Sequence, residues 1–271
     1  MYPEIHLGGA TLQTYETWGV LTAGIYALAL ALLARRAGFC TRDWLVVGVV
    51  CGLALYLGSG LFFEIFEYPF MKGRMWIDPP PAWLRPLRPM GFTFLGGLAA
   101  LGLGQLVLGL TPLVRPGPGR ILDVVTPVTA LVFALSKVGC LLAGCCHGRP
   151  TDAWWGVTMM HLHTDAPEKV VPVRILEMLV SLAVAGAGAW ILWGDRARGR
   201  VRDGVLFASY LLVASVTRFA LGFLRGDYEI RVGPLDGVQW GALGIALVAA
   251  VVLVVLLAVG PGRKATEEET S

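Results

Sequence analysis

Charge is scarce in this chain: of 271 residues only 15% are charged, and 22 basic against 19 acidic residues leave a formal net charge of +3. So slight an excess gives no polyelectrolyte surface for nucleic acid; it suits basic loops lying against anionic lipid headgroups. The first dozen residues, Met1 to Leu12, lack both a basic stretch and a long apolar core, so no cleavable signal peptide is expected and the first span should stay in the membrane. No internal repeat is visible, which gives no support to a transporter built from inverted halves. The five cysteines make no disulfide framework and show no spaced C-x-x-C pair, which weakens a redox reading. Cys40 and Cys51 read as small buried hydrophobes. A bridge between the neighbours Cys145 and Cys146 would be strained.

Apolar residues are what the chain has in quantity: 56% are hydrophobic and the mean hydropathy is +0.67. Runs of about 20 apolar residues, the length a helix needs to cross the hydrocarbon core, fall at 17–34, 44–66, 92–113, 121–146, 174–193, 204–224 and 235–259. Backbone groups in lipid must be satisfied internally, so these are expected to be seven transmembrane helices of an all-α polytopic membrane protein. The many glycines fit close helix contacts. The N-terminal segment carries Glu4 and Glu16 but no Lys or Arg, whereas Arg35, Arg36, Arg42, Arg115, Arg120, Arg196, Arg198, Arg200 and Arg202 follow the odd-numbered spans. That bias places the N-terminus outside and the C-terminus in the cytoplasm, although Lys72, Arg74, Arg85 and Arg88 of a long loop oppose it. One membrane domain, 1–260, is expected, with outward arms at about 67–91 and 147–173 and a disordered cytoplasmic tail over 261–271.

Polar groups at membrane depth are costly and mark function. The fourth span ends in Gly139-Cys140-Leu141-Leu142-Ala143-Gly144-Cys145-Cys146-His147-Gly148-Arg149-Pro150-Thr151, preceded by Lys137. Glu177 lies one turn into the fifth span, after Pro172 and Arg174. Arg218 and Arg225, seven residues apart, share a face of the sixth. Arg218 is too deep for snorkelling alone and needs an anionic partner: either Glu177, in a structural ion pair, or a lipid phosphate matched by the guanidinium fork. A cation or imidazole beside Cys145 and Cys146 can produce a thiolate. Zinc is disfavoured, because Cys145, Cys146 and His147 are consecutive and wrap one tetrahedral ion poorly. His161 and His163 read as solvated loop positions. Gly96-Gly97 and Gly144 read as helix-packing sites, or as places where a lipid headgroup approaches backbone N–H groups.

Taken in order, these segments resemble the bacterial phosphatidylglycerol–prolipoprotein diacylglyceryl transferases along most of the chain. Trp18-Gly19-Val20-Leu21 is similar to the first-helix aromatic-Gly-Leu element, and Phe94-Leu95-Gly96-Gly97 to Phe-His-Gly-Gly. Asp123-Val124-Val125-Thr126-Pro127 and then Lys137 through Thr151 resemble the signature helix. Pro172 through Glu177 resembles Pro-Ser-Gln-Leu-Tyr-Glu, Arg218-Phe219 through Arg225 the Arg-Phe-x-x-Glu-Phe-x-Arg element, and Val238-Gln239-Trp240 the start of the last helix. Gly139, Gly144, Gly148, Arg149, Thr151, Glu177, Arg218 and Arg225 agree with the pattern. The departures are Leu95 for a histidine, Lys137 for an arginine, Cys140 and Ala143 for asparagines, Cys145 for an acid, Ala214 for a tyrosine and Gly222 for a glutamate.

The resemblance implies a multi-pass enzyme of the bacterial cytoplasmic (inner) membrane, with no cofactor. It would transfer the diacylglyceryl group of phosphatidylglycerol to a cysteine thiol of a lipoprotein precursor, or to a related acceptor, and release glycerol phosphate. On that reading Arg218 and Arg225 hold the phosphate, with Lys137, Gly96, Gly97, Gly148 and Arg149 in the binding set. His147 is the candidate base, and Cys145 or Cys146 a candidate acceptor or nucleophile. Glu177 is a structural ion-pair partner. The rival reading is a phospholipid-binding protein of the same fold that has lost the chemistry.

Overall fold

Helices form wherever apolar residues run long enough, and their ends are set by glycine, proline and side-chain caps. The computed structural model describes residues 4–7, 10–67, 93–144, 146–160, 166–194, 201–226 and 232–259. Among these residues are seven helices: α1 (Thr14–Arg36), α2 (Thr41–Phe66), α3 (Phe94–Gly109), α4 (Pro118–Ala143), α5 (Val173–Trp193), α6 (Val205–Gly222) and α7 (Gly237–Ala258). Two short antiparallel hairpins accompany them, β1 (Glu4–Leu7) with β2 (Ala10–Gln13), and β3 (Val157–Met159) with β4 (Glu168–Val170). Six helices are long and apolar enough to cross a membrane. The exception is α3, whose 16 residues reach only about 24 Å against a core of about 30 Å.

Two expected features differ from the structure. The fourth helix ends at Ala143 rather than at 146, because Gly144 takes the left-handed conformation (φ 76°) that closes a helix. Gly144 is thus a C-cap, and Cys146 and His147 lie beyond the helix. Cys40, expected to be buried, is exposed at the start of α2. Cys145, His161, His163, the tail 261–271 and nearly all of the arm at 67–91 lie outside the described residues.

Helix α4 is the centre of the bundle, with 61% of its most apolar window buried against 17–33% for the other spans. Ile121, Val124, Val125, Val128 and Ala130 are fully covered by α1, α3, α5 and α6. Pro118 starts it where a missing N–H costs nothing. Pro127 interrupts it internally, and Gly188 of α5 leaves room for that ring, since a Cβ there would stand 3.2 Å from Pro127. Elsewhere α2 and α3 approach through small residues. A Cβ on Gly58 would stand 2.1 Å from Ala100 Cβ, and one on Gly96 2.0 Å from Phe62 Cβ. Gln105, buried between α2 and α3, donates through Nε2 to Val47 O at 3.3 Å and Cys51 Sγ at 3.0 Å, so its amide nitrogen finds partners inside the bundle.

The bundle has two chemically unlike ends. At one, Arg120 donates to Ala37 O (2.5 Å), Arg202 to Leu256 O (3.2 Å), and Arg36 stacks over Trp193. There the Asp123 carboxylate accepts from Gly204 N (2.8 Å) and Phe207 N (3.1 Å), capping α6 from a neighbouring helix. At the other end α4, α5 and α6 bring Lys137, Glu177 and Arg225 together. Here α7 begins with a capping box in which Asp236 accepts from Gln239 N and Gln239 accepts from Asp236 N.

Candidate functional site

Three helices supply one charge each to a buried cluster. Lys137 comes from the last two turns of α4, Glu177 from the second turn of α5, and Arg225 from just after α6. Lys137 Nζ lies 2.6 Å from Glu177 Oε2, and Arg225 Nη1 lies 3.9 Å from Oε1. All three are buried, at 8%, 3% and 5% exposure respectively. Arg218, half-buried on α6, acts electrostatically on the same carboxylate. The four together carry three cations to one anion, in a setting where unbalanced charge is expensive. The Lys137 ammonium also sits 4.5 Å from the centre of the Phe133 ring, and Phe94 of α3 stacks on that ring at 3.8 Å.

The chain that leaves α4 is a strap woven between α6 and the β3–β4 hairpin. Arg149 N donates to Leu224 O (2.9 Å) and Gly226 N to His147 O (3.1 Å), while Val171 N donates to Arg149 O (3.0 Å) on the other side. Gly148 is the crossing point, since a Cβ there would meet Val171 O at 2.2 Å, so only glycine lets the two backbones close. Cys146 turns into the strap with φ 58°, unusual for a residue bearing a side chain. Arg149 Nε donates to Arg225 O (3.2 Å), tying the strap to the charged cluster. His147 Nδ1 lies 3.1 Å from Gly148 O; with the proton on Nδ1, Nε2 carries the lone pair a base needs.

The residue missed from sequence is Arg174. It is 2% exposed and donates through Nη1 to Cys140 O (2.7 Å), through Nε to Cys146 O (3.2 Å) and through Nη2 to Met159 Sδ (3.1 Å). It thus adds a second donor to Cys140 O, which also accepts from Gly144 N, and reaches Cys146 O beyond the helix, pinning the strap to α5. The available signal was an arginine just inside an apolar span, which must find acceptors.

The structure brings Lys137, Glu177, Arg218, Arg225, His147, Gly148 and Arg149 to one end of the bundle. The thiols of Cys140 and Cys146 lie within electrostatic reach of Lys137. Gly96 and Gly97 are packing positions, their Cα faces filled by Phe62, Gly58, Leu55 and Ser59 of α2. Leu95, which stands where a histidine was expected from the resemblance, is buried. Gly222, which stands for a glutamate, has no room for a side chain: a Cβ would come within 2.6 Å of Gln239 Cγ. Gln239 fills that space and donates to Phe219 O at 3.0 Å.

A family model described as prolipoprotein diacylglyceryl transferase matches residues 5–256. The chain is 30% identical over 240 residues to the phosphatidylglycerol–prolipoprotein diacylglyceryl transferase of Clostridium tetani, covering 86% of this chain and 89% of that protein. It is 30% identical over 263 residues to the phosphatidylglycerol–prolipoprotein diacylglyceryl transferase 2 of Clostridium perfringens, covering 95% and 96%. It is 27% identical over 230 residues to the corresponding transferase 1 of Streptomyces coelicolor, covering 82% and 64%. No solved structure matches.

Proposed function

Because the chain belongs to the prolipoprotein diacylglyceryl transferase family, we propose that it moves the diacylglyceryl group of phosphatidylglycerol to a precursor cysteine thiol. The observation that carries this reading is the buried cluster of three cations around Glu177. An excess of positive charge in a low-dielectric site is stabilised by a phosphodiester, and more so as that phosphate gains charge on leaving.

In this reaction the acceptor thiol gives its proton to His147 Nε2, and the sulfur attacks the glyceryl carbon that carries the phosphate ester. The C–S bond forms, the C–O bond breaks, and its electron pair stays on the phosphate oxygen. Glycerol phosphate then leaves, taking a proton back from His147. Arg218 and Arg225 hold the phosphate oxygens, and Lys137 adds a third positive charge. Gly148 and Arg149 hold the strap in place beside them. Glu177 fixes Lys137 and Arg225 and keeps the empty site from self-repulsion. Gly96 and Gly97 contribute by setting α3, and with it Phe94, against the Lys137 pocket.

Cys146, within reach of Lys137, offers a route in which the enzyme's own thiol is alkylated; Cys145 would serve the same way. The thioether so formed is as stable as the product and is a poor leaving group, so direct transfer is the preferred route. Intact-mass measurement after turnover separates the two, since only self-alkylation leaves a diacylglyceryl adduct that Cys→Ser removes. In the same proposal the arginine-rich end faces the cytoplasm, the N-terminus lies outside, and the protein resides in the cytoplasmic membrane.

The test is complementation of a transferase-depleted bacterium. The wild-type chain should restore growth and lipoprotein modification. His147→Ala should lower transfer by about 10²–10⁴-fold, the ordinary share of a general base. Full activity of His147→Ala removes histidine from the mechanism, and failure of the wild-type chain points to another acceptor.

A further inference from the structure

At the end of the bundle opposite the charged cluster, two cavities lie side by side. One, of ≈ 260 Å³, is bordered by Arg36, Arg120, Asp123, Asp203 and Trp193. The other, of ≈ 370 Å³, is a groove between α1 and α5 floored by α4, with Ala29, Val128, Leu131, Leu182 and Gly186 among its walls. Leu33 and Trp193 border both, so the polar mouth and the apolar groove adjoin. Helices α1 and α5 both pack on α4 and leave this channel between them.

The dimensions and chemistry match one molecule. From Leu182 to Trp193, helix α5 rises about 16 Å, close to the depth of one leaflet of a hydrocarbon core about 30 Å thick. A groove of that length takes an acyl chain over about one leaflet. Trp193 marks its upper end, where an indole sits at the headgroup level. Above it the exposed guanidiniums of Arg36 and Arg120 stand at the mouth, the first stacked on Trp193 at 5.5 Å and the second fixed on Ala37 O at 2.5 Å. The Asp123 carboxylate is turned to the N–H groups of Gly204 and Phe207, while Asp203 is exposed at the rim.

We propose that the two adjoining cavities together form a glycerophospholipid site in the leaflet of the arginine-rich end. One acyl chain lies between α1 and α5, the phosphate sits at Arg36 and Arg120, and Asp203 accepts from a headgroup hydroxyl or ammonium. The groove lies at the far end of the bundle from the proposed transfer site, so its occupant is a bound lipid and not the substrate undergoing transfer.

The test is photolabelling of the full chain in lipid nanodiscs with a phosphatidylglycerol that carries a diazirine midway along one acyl chain, the adducts being mapped by mass spectrometry. Label is expected on segments 29–33 and 182–193. It should fall about tenfold in Arg36→Gln/Arg120→Gln, as expected when charge-assisted hydrogen bonds to phosphate are removed. It should fall similarly in Gly186→Leu, which fills the groove from a position with nothing within 4 Å of the new Cβ. Label on the lipid-facing stretch 247–255 of α7 serves as the control and should stay constant. Should the double arginine variant fold poorly, the single variants carry the test, since both side chains are exposed. Groove label that is absent, or that ignores the arginine substitutions, would mean ordinary boundary lipid and overturn the proposal. So would label insensitive to Gly186→Leu. None of these readouts depends on transfer activity.

Discussion

Replacing Glu177 by glutamine keeps the shape of the buried cluster and removes the carboxylate that its three cations share. Lys137 at 2.6 Å and Arg225 at 3.9 Å then lose their shared charge partner, with Arg218 acting on the same point. Breaking a buried ion pair by removing one partner costs about 3–5 kcal/mol. For a chain of this size each kcal/mol moves the unfolding midpoint by about 2–4 °C, so a fall of roughly 6–20 °C is expected. The readout is thermal unfolding in detergent micelles, followed by tryptophan fluorescence. The decisive partner is Lys137→Met combined with Glu177→Gln, because removing both members of a buried pair is often close to neutral. The double variant should recover most of the lost stability while transfer stays impaired, giving a large coupling energy between the two positions. An unmoved midpoint in Glu177→Gln, or a double variant no more stable than the single one, would refute the electrostatic account of the cluster.

Three further outcomes follow from the packing around it. Gly148→Ala forces a Cβ to within 2.2 Å of Val171 O, a backbone atom that no side-chain rotation can move aside; a cost of about 1–3 kcal/mol and faster hydrogen exchange over 146–151 and 168–171 are expected. Gly222→Glu, which installs the residue the resemblance predicts, should destabilise by about 1–3 kcal/mol through overlap with Gln239, and adding Gln239→Ala should relieve part of the loss in the same unfolding assay. Arg174→Gln leaves the carbonyls of Cys140 and Cys146 without their charged donor; about 1.5–3 kcal/mol should be lost, with exchange rising first in the strap and transfer falling with it.

The spans were legible because membrane-length apolar runs have few alternatives, and the charged residues stood out because lipid makes each one expensive. Where a helix stops is harder to read. Hydropathy continues smoothly through Gly144, Cys145 and Cys146, yet the left-handed turn at Gly144 ends α4 there and makes the following residues a strap. From the sequence that glycine reads as a packing site or a point of headgroup approach, and its N–H donating to Cys140 O shows it to be a cap. Arg174 escaped notice because its acceptors are backbone carbonyls on another helix, which leave no mark in composition. From the sequence, Arg218 calls for either Glu177 or a lipid phosphate as its partner. The ion pairs of Glu177 run to Lys137 and Arg225, with Arg218 acting on the same carboxylate, so the arginine that first called for a partner shares it with two other cations.

The central claim is that the Lys137–Glu177–Arg225–Arg218 cluster holds a phosphate that departs during diacylglyceryl transfer. It is tested most directly by following glycerol phosphate release and precursor-peptide mass together, with purified protein reconstituted in phosphatidylglycerol vesicles. Equal amounts of glycerol phosphate and diacylglyceryl-modified peptide are expected, with a drop of about 10²–10³ in turnover for Arg225→Gln or Arg218→Gln. Modified peptide without glycerol phosphate, or undiminished turnover in both folded arginine variants, would contradict it.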